Sequence, residues 1–185
     1  MKILFLILML SFAACSHTEI AEQTRLQSTD VNLEMTSVKY LPVKSMFDHE
    51  ASYIKTIAEP DFKLELKTLL NIITKISYAE NNCARGQVAC SDGSHEGVIF
   101  INDNFFLMTQ LEQFTAVLHE AAHLQSKNFE HIKCSKVPAW GYECDENVIS
   151  PYGIEYKYML HKYMHTKDDT ITQLLMKIYN RINKI

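Results

Sequence analysis

Val98-Ile99-Phe100-Ile101, then Asn102-Asp103, then Asn104 to Gln125 with His119-Glu120-Ala121-Ala122-His123 inside it, is the stretch that decides the fold. Its first four residues are a short apolar run of strand character, bounded by Gly97 and Asn102-Asp103. Asn104 to Gln125 then reads as one amphipathic helix: Phe105, Leu107, Leu111, Phe114, Val117, Leu118, Ala121, Ala122 and Leu124 form a broad apolar face, and neither Gly nor Pro interrupts it. A strand followed by a buried helix predicts an α+β domain, mostly α, with a short strand or small sheet preceding the helix.

Residues i and i+4 of a helix share a face, so His119 and His123 can direct one nitrogen each at a single ion with Glu120 alongside. This HExxH spacing suits one zinc ion per chain, with two imidazole ligands and a carboxylate that takes a proton from water and returns it to a leaving amine. Glu120 is therefore the candidate catalytic residue. The bland reading is a pair of ordinary helix histidines, but burying two imidazoles and a carboxylate without a metal is costly.

Catalytic zinc typically has three protein ligands and one open position, so a third must come from beyond His123. His131 lies in the polar segment Gln125 to Lys133, which leaves the helix and turns back toward Cys134. Glu155 is the alternative, on a following helix that starts at Pro151 with Ser150 as N-cap. His131 is preferred for its ligand chemistry and because a Cys134–Cys144 bridge would hold its loop firm. Asp145 or Glu146 could orient a zinc-bound imidazole from behind. Tyr152, Tyr156 and His161 are candidate stabilisers of an oxyanion, although aromatic groups there more often pack. His161 and His165 form a second i, i+4 pair, expected on a solvated face or near a helix C-terminus.

Residues 1–14 carry one Lys, the apolar run Ile3 to Phe12 and then small residues before Cys15, which is a secretory leader too short to span a bilayer. Five cysteines are present, and setting Cys15 aside leaves an even number in an exported chain. The expected pairs are Cys83 with Cys90 and Cys134 with Cys144, because each closes a short loop; other pairings stay open. Residues 15–43 are rich in Ser, Thr, Glu and Gln and read as a flexible tether, with Ser37 to Leu41 its one candidate strand. Residues 44–185 suffice for one domain with a real core.

Helical periodicity begins near Met46, runs to Ile57 and restarts after Pro60, where Phe62, Leu66, Leu69, Leu70, Ile73 and Ile76 mark one stripe. Asn81 to Gly97 reads as a stapled loop, and Asp169 to Asn183 as a last packing helix. The net charge of -4 is mild, and no basic stripe or aromatic repeat marks a nucleic-acid partner. A monomer is expected.

Three resemblances bear on function. Phe12-Ala13-Ala14-Cys15 resembles a bacterial lipobox, with Phe12 where Leu is usual. That implies cleavage before Cys15 and a lipid on its sulfur, anchoring the chain to the bacterial membrane; Ser16 would favour the outer membrane of a Gram-negative cell, with the domain in the periplasm or at the surface. The metzincin pattern is rejected, since Ser126 and Phe129 stand where it needs Gly and His, and Ile149 leaves the aspzincin pattern incomplete. A ligand from a second helix would resemble the gluzincin arrangement.

The order HEAxH, His131-x-x-Cys134, Cys144-Asp145, Tyr152-Gly153, over roughly Val98 to Leu160, resembles small exported bacterial lipoproteins of the zincin-like HExxH metallopeptidase type. What this implies is a zincin-like domain that hydrolyses peptide bonds of peptide or protein substrates at the cell envelope, with an extended substrate held against a strand edge near the metal. Three other readings stay open: a metal-binding envelope lipoprotein without catalysis, an amidase or peptide hydrolase acting on the cell wall, and a structural surface protein with an accidental motif.

Overall fold

The computed structural model of the chain describes residues 41–79, 82–92, 94–126, 131–133, 143–145 and 150–182. Cys15, Cys134, Glu146 and the candidate strand up to Tyr40 lie outside them. The described residues are mostly helical with a small three-stranded sheet, the expected α+β class.

Helix α1, Leu41–Thr56, starts before the expected tether boundary, and Leu41 is helical rather than extended. It buries Val43, Met46, Phe47, Glu50 and Ile54 along one face. Helix α2, Pro60–Ile72, begins with Pro in its first turn, where no N–H is needed, and buries Leu66, Leu69 and Leu70.

The apolar stripe does not carry the helix through Ile73 and Ile76. Ile73 turns extended, and the Thr74 and Lys75 N–H groups donate to the Gly97 carbonyl at 2.8 and 3.2 Å, opening strand β1, Lys75–Tyr78. Gly97 has φ +74, and a Cβ there would lie 2.7 Å from the Ile72 carbonyl oxygen and the Thr74 side chain, so only glycine fits this junction. Spacings of three and four alone could not separate a helix from a turn into a strand, because both bury the same residues.

Strand β2, Ala89–Ser91, forms inside the segment expected to be loop, and the Cys83–Cys90 disulfide links it to that loop as expected. Strand β3, Val98–Ile101, is a strand as expected, but it is the middle one: order β1-β3-β2, with β1 parallel to it and β2 antiparallel. It therefore offers no edge to a substrate. The edge on the side of the HExxH helix belongs to β2.

Asn104 to Gln125 is two helices rather than one. A 3-10 helix, Asp103–Leu107, is capped by the Asn102 side chain, which accepts from the Asn104 N–H at 3.1 Å. Thr109 and Glu112 then form a capping box that starts α3, Gln110–Gln125. The Gln113 amide donates to the carbonyls of Phe105 and Met108 at 3.0 and 3.2 Å, satisfying the chain end between the two helices. Strong local capping outweighed an uninterrupted apolar face.

Helix α3 touches α1, α2, β2, β3 and the later helix α4, Pro151–Thr166. Phe114 sits at the heart of this packing, its ring 5.9 Å from Phe47 of α1 and 5.1 Å from Tyr158 of α4. Ser150 caps α4 as expected, accepting from the Gly153 N–H. Between α1 and α4, buried Glu50 accepts from the Tyr158 hydroxyl and from Lys162 Nζ at 2.6 Å. Helix α5, Asp169–Tyr179, closes on α4 over Tyr152, Met159, Ile171 and Ile178, and ends short of the expected Asn183. Two short strands, β4 (Ile132–Lys133) and β5 (Glu143–Cys144), pair antiparallel. No helix among the described residues is long and apolar enough to cross a membrane.

Candidate metal centre

Two chain segments bring three imidazoles to one point. His119 and His123 come from successive turns of α3, and His131 stands just before β4. Their Nε2 atoms lie 3.2 Å (His119 to His123), 3.0 Å (His119 to His131) and 2.9 Å (His123 to His131) apart. Zinc held tetrahedrally at about 2.0–2.1 Å requires nitrogens about 3.3 Å apart, so this slightly contracted triangle fits one face of a zinc coordination sphere. Among the described residues it is the group of His, Cys, Asp or Glu side chains close enough to share an ion.

The far side of two rings is held by carboxylates. His119 Nδ1 lies 2.6 Å from Glu155 Oε1, and His131 Nδ1 lies 2.6 Å from Asp145 Oδ1. A carboxylate behind Nδ1 places the ring proton there and turns the Nε2 lone pair toward the other two rings. Lone pairs facing one another at 3 Å repel unless a cation or a proton lies between them. Glu155, the alternative third ligand, thus meets His119 from behind, and the third side chain in the triangle is His131.

The pairing of β4 with β5 explains His131. Ile132 pairs with Cys144, so the same ladder sets His131 opposite Asp145. Asp145 is fully buried and anchored twice more: its Oδ2 accepts from the Tyr152 N–H in the first turn of α4 at 2.6 Å, and its own N–H donates to the Arg181 carbonyl at 2.9 Å. Burial pushes the Asp145 carboxyl up, but hydrogen bonds from His131, Ser150 and the Tyr152 N–H outweigh it and hold it below its ordinary value.

Burial pushes Glu155 up to about 8 and His119 down to about 4, so this pair avoids separated charges when no cation is near. A divalent cation at Nε2 reverses that preference, since it favours a carboxylate behind a protonated Nδ1. Burial likewise raises Glu120, opposed by the charge of His119 and by hydrogen bonds from Ser91.

Glu120 Oε2 accepts from the Ser91 N–H at 2.8 Å and from the Ser91 hydroxyl at 2.9 Å. The Tyr152 ring covers the histidines, 4.5 Å from His119 and 4.9 Å from His131, and its phenol oxygen accepts from Arg181 at 2.6 Å. All of these groups line one cleft of about 940 Å³ between β2, α3, α4 and α5. Tyr156 packs against Tyr179, and His161 bonds Tyr53 and Glu59, so neither is placed at the histidine triangle. Nothing in the sequence pointed to Ser91 or Arg181: neither stands in a motif, and Ser91 lies in a segment that reads as loop.

Comparison with family models, with curated proteins and with solved structures yields no match.

Proposed function

We propose that this chain is a zinc-dependent peptidase that hydrolyses peptide bonds at the bacterial cell envelope. The observation that carries the reading is the triangle of Nε2 atoms 2.9–3.2 Å apart, backed by Glu155 and Asp145, with an acid of the HExxH run on the same helix. His119, His123 and His131 hold the ion. When bound, zinc would supply Lewis acidity toward a water and toward a substrate carbonyl. Glu120 takes a proton from water and hands it to the leaving amine. Tyr152, braced by Arg181, shields the imidazoles on one side of the cleft.

The outer edge of β2 lines the cleft and packs beside α3. Asn102 N–H donates to the Val88 carbonyl, so Cys90 faces β3 and the main-chain groups of Ala89 and Ser91 face outward. Lipidation of Cys15 would keep the domain at the membrane, on the outer membrane in a Gram-negative cell.

The test is metal content and turnover together. The parent should hold one zinc per chain and cleave members of a broad peptide library. Glu120→Gln should keep the zinc and lose cleavage by at least about a hundredfold. A zinc-loaded parent without any cleavage would sink the peptidase reading and leave a metal-binding protein.

A further inference from the structure

Glu120 has two carboxylate oxygens, and the sheet treats them differently. Oε2 receives both donors of a single residue: the Ser91 main-chain N–H at 2.8 Å and the Ser91 hydroxyl at 2.9 Å. Oε1 has no protein partner among the described residues, where the only fully enclosed side-chain polar atom without one is Gln113 Oε1. Glu120 itself is buried and lines the cleft, so Oε1 is the oxygen that meets it.

The position of Ser91 follows from the ladder. Cys90 pairs with Phe100 and Ser91 with Ile99, and the Asn102 to Val88 hydrogen bond sets the parity, so the Ser91 N–H points off the outer edge of the sheet toward α3. The Cys83–Cys90 disulfide cross-links the residue just before it. A side chain with three rotatable bonds thus ends on two donors carried by a braced strand.

We infer that Ser91 is a positioning residue that holds Glu120 Oε2 against β2 and so assigns Oε1 as the oxygen that exchanges protons in the cleft. The inference rests on the reading of Glu120 as the base beside a metal. Ser91→Ala removes the hydroxyl and leaves the N–H, so Glu120 samples other rotamers with one donor lost. Ser91→Thr keeps the hydroxyl.

The experiment uses the full-length chain loaded with zinc, with acetohydroxamate as probe, because this small chelator binds zinc and shares its proton with a carboxylate beside the metal. Calorimetry should show binding to Ser91→Ala weakened about tenfold, the scale of one hydrogen bond to a charged group, with zinc content unchanged. Ser91→Thr should restore it to within about twofold of the parent. With any peptide the parent cleaves, Ser91→Ala should lower kcat about tenfold and leave KM within about twofold. A parent that holds no zinc overturns the metal reading and this inference together. A zinc-loaded Ser91→Ala that binds acetohydroxamate as tightly as the parent overturns this inference alone, as does loss of zinc from that variant or failure of Ser91→Thr to restore binding.

Discussion

His119 and His123 on α3 share their i, i+4 spacing with His161 and His165 on α4, yet the two pairs end in different chemistry. In the first, the rings lie 62° apart and their Nε2 atoms converge on His131. In the second, the rings stack at 4.2 Å and 20°, and both nitrogens of His161 are engaged, Nδ1 with the Tyr53 hydroxyl and Nε2 with Glu59 Oε2, each at 2.9 Å. Helical spacing puts two rings on one face and no more. What converges on them from elsewhere decides whether they can share an ion or brace a joint: here β4 and a carboxylate on α4 for one pair, α1 and the start of α2 for the other.

The comparison breaks most visibly on metal content. His123→Ala should weaken zinc by more than about a hundredfold, roughly one ligand's share of a structured site, while His165→Ala should stay stoichiometric in the same mass-spectrometric assay. Equal zinc in both variants would erase the distinction.

Next come the buried carboxylates behind the Nδ1 atoms of His119 and His131. Asp145→Asn and Glu155→Gln should each weaken zinc by about 10- to 100-fold in chelator competition. A larger loss from Glu155→Gln than from His131→Ala would make Glu155 a ligand after all.

Acid sharpens the contrast further. His119 is held near 4 by burial against an ordinary 6.5, so between those values this residue binds more protons in the unfolded chain than in the native one. Glu155, held near 8 by burial against an ordinary 4.5, acts with the opposite sign in the same window, so the two largely offset in the zinc-free protein. His119→Gln leaves Glu155 alone and should make Tm rise as pH drops from 6.5 toward 4.5.

The smallest effect belongs to the second pair as a joint. His161→Ala should cost about 1 kcal/mol, a few degrees of Tm, because it gives up one half-buried and one exposed hydrogen bond. Zinc content should not move.

Much of the site was legible because it is local. The HExxH run, its helix, the strand before it and the Ser150 cap each follow from a pattern a few residues long. Asp145 and His131 were legible as candidates but not as partners, since fourteen residues separate them and only the Ile132 to Cys144 register sets them face to face. Where local signals conflicted, capping prevailed: Thr109 and Glu112 ended a helix that apolar periodicity would have run back to Asn104. Where they were ambiguous, pairing prevailed, and Ile73 and Ile76 joined the turn and strand beside Gly97.

Sequence alone determined which residue types stand one helical turn apart, and with them two potential ligands and one potential base. Tertiary structure alone decided that β3 is central, that the edge beside α3 belongs to β2, that Glu155 backs His119, and that Ser91 reaches Glu120 across 29 residues of chain. The reason is physical. Helical geometry is set within four residues, whereas strand order, hydrogen-bond parity and the partner behind an imidazole depend on contacts between segments whose separation in sequence carries no signal of their meeting.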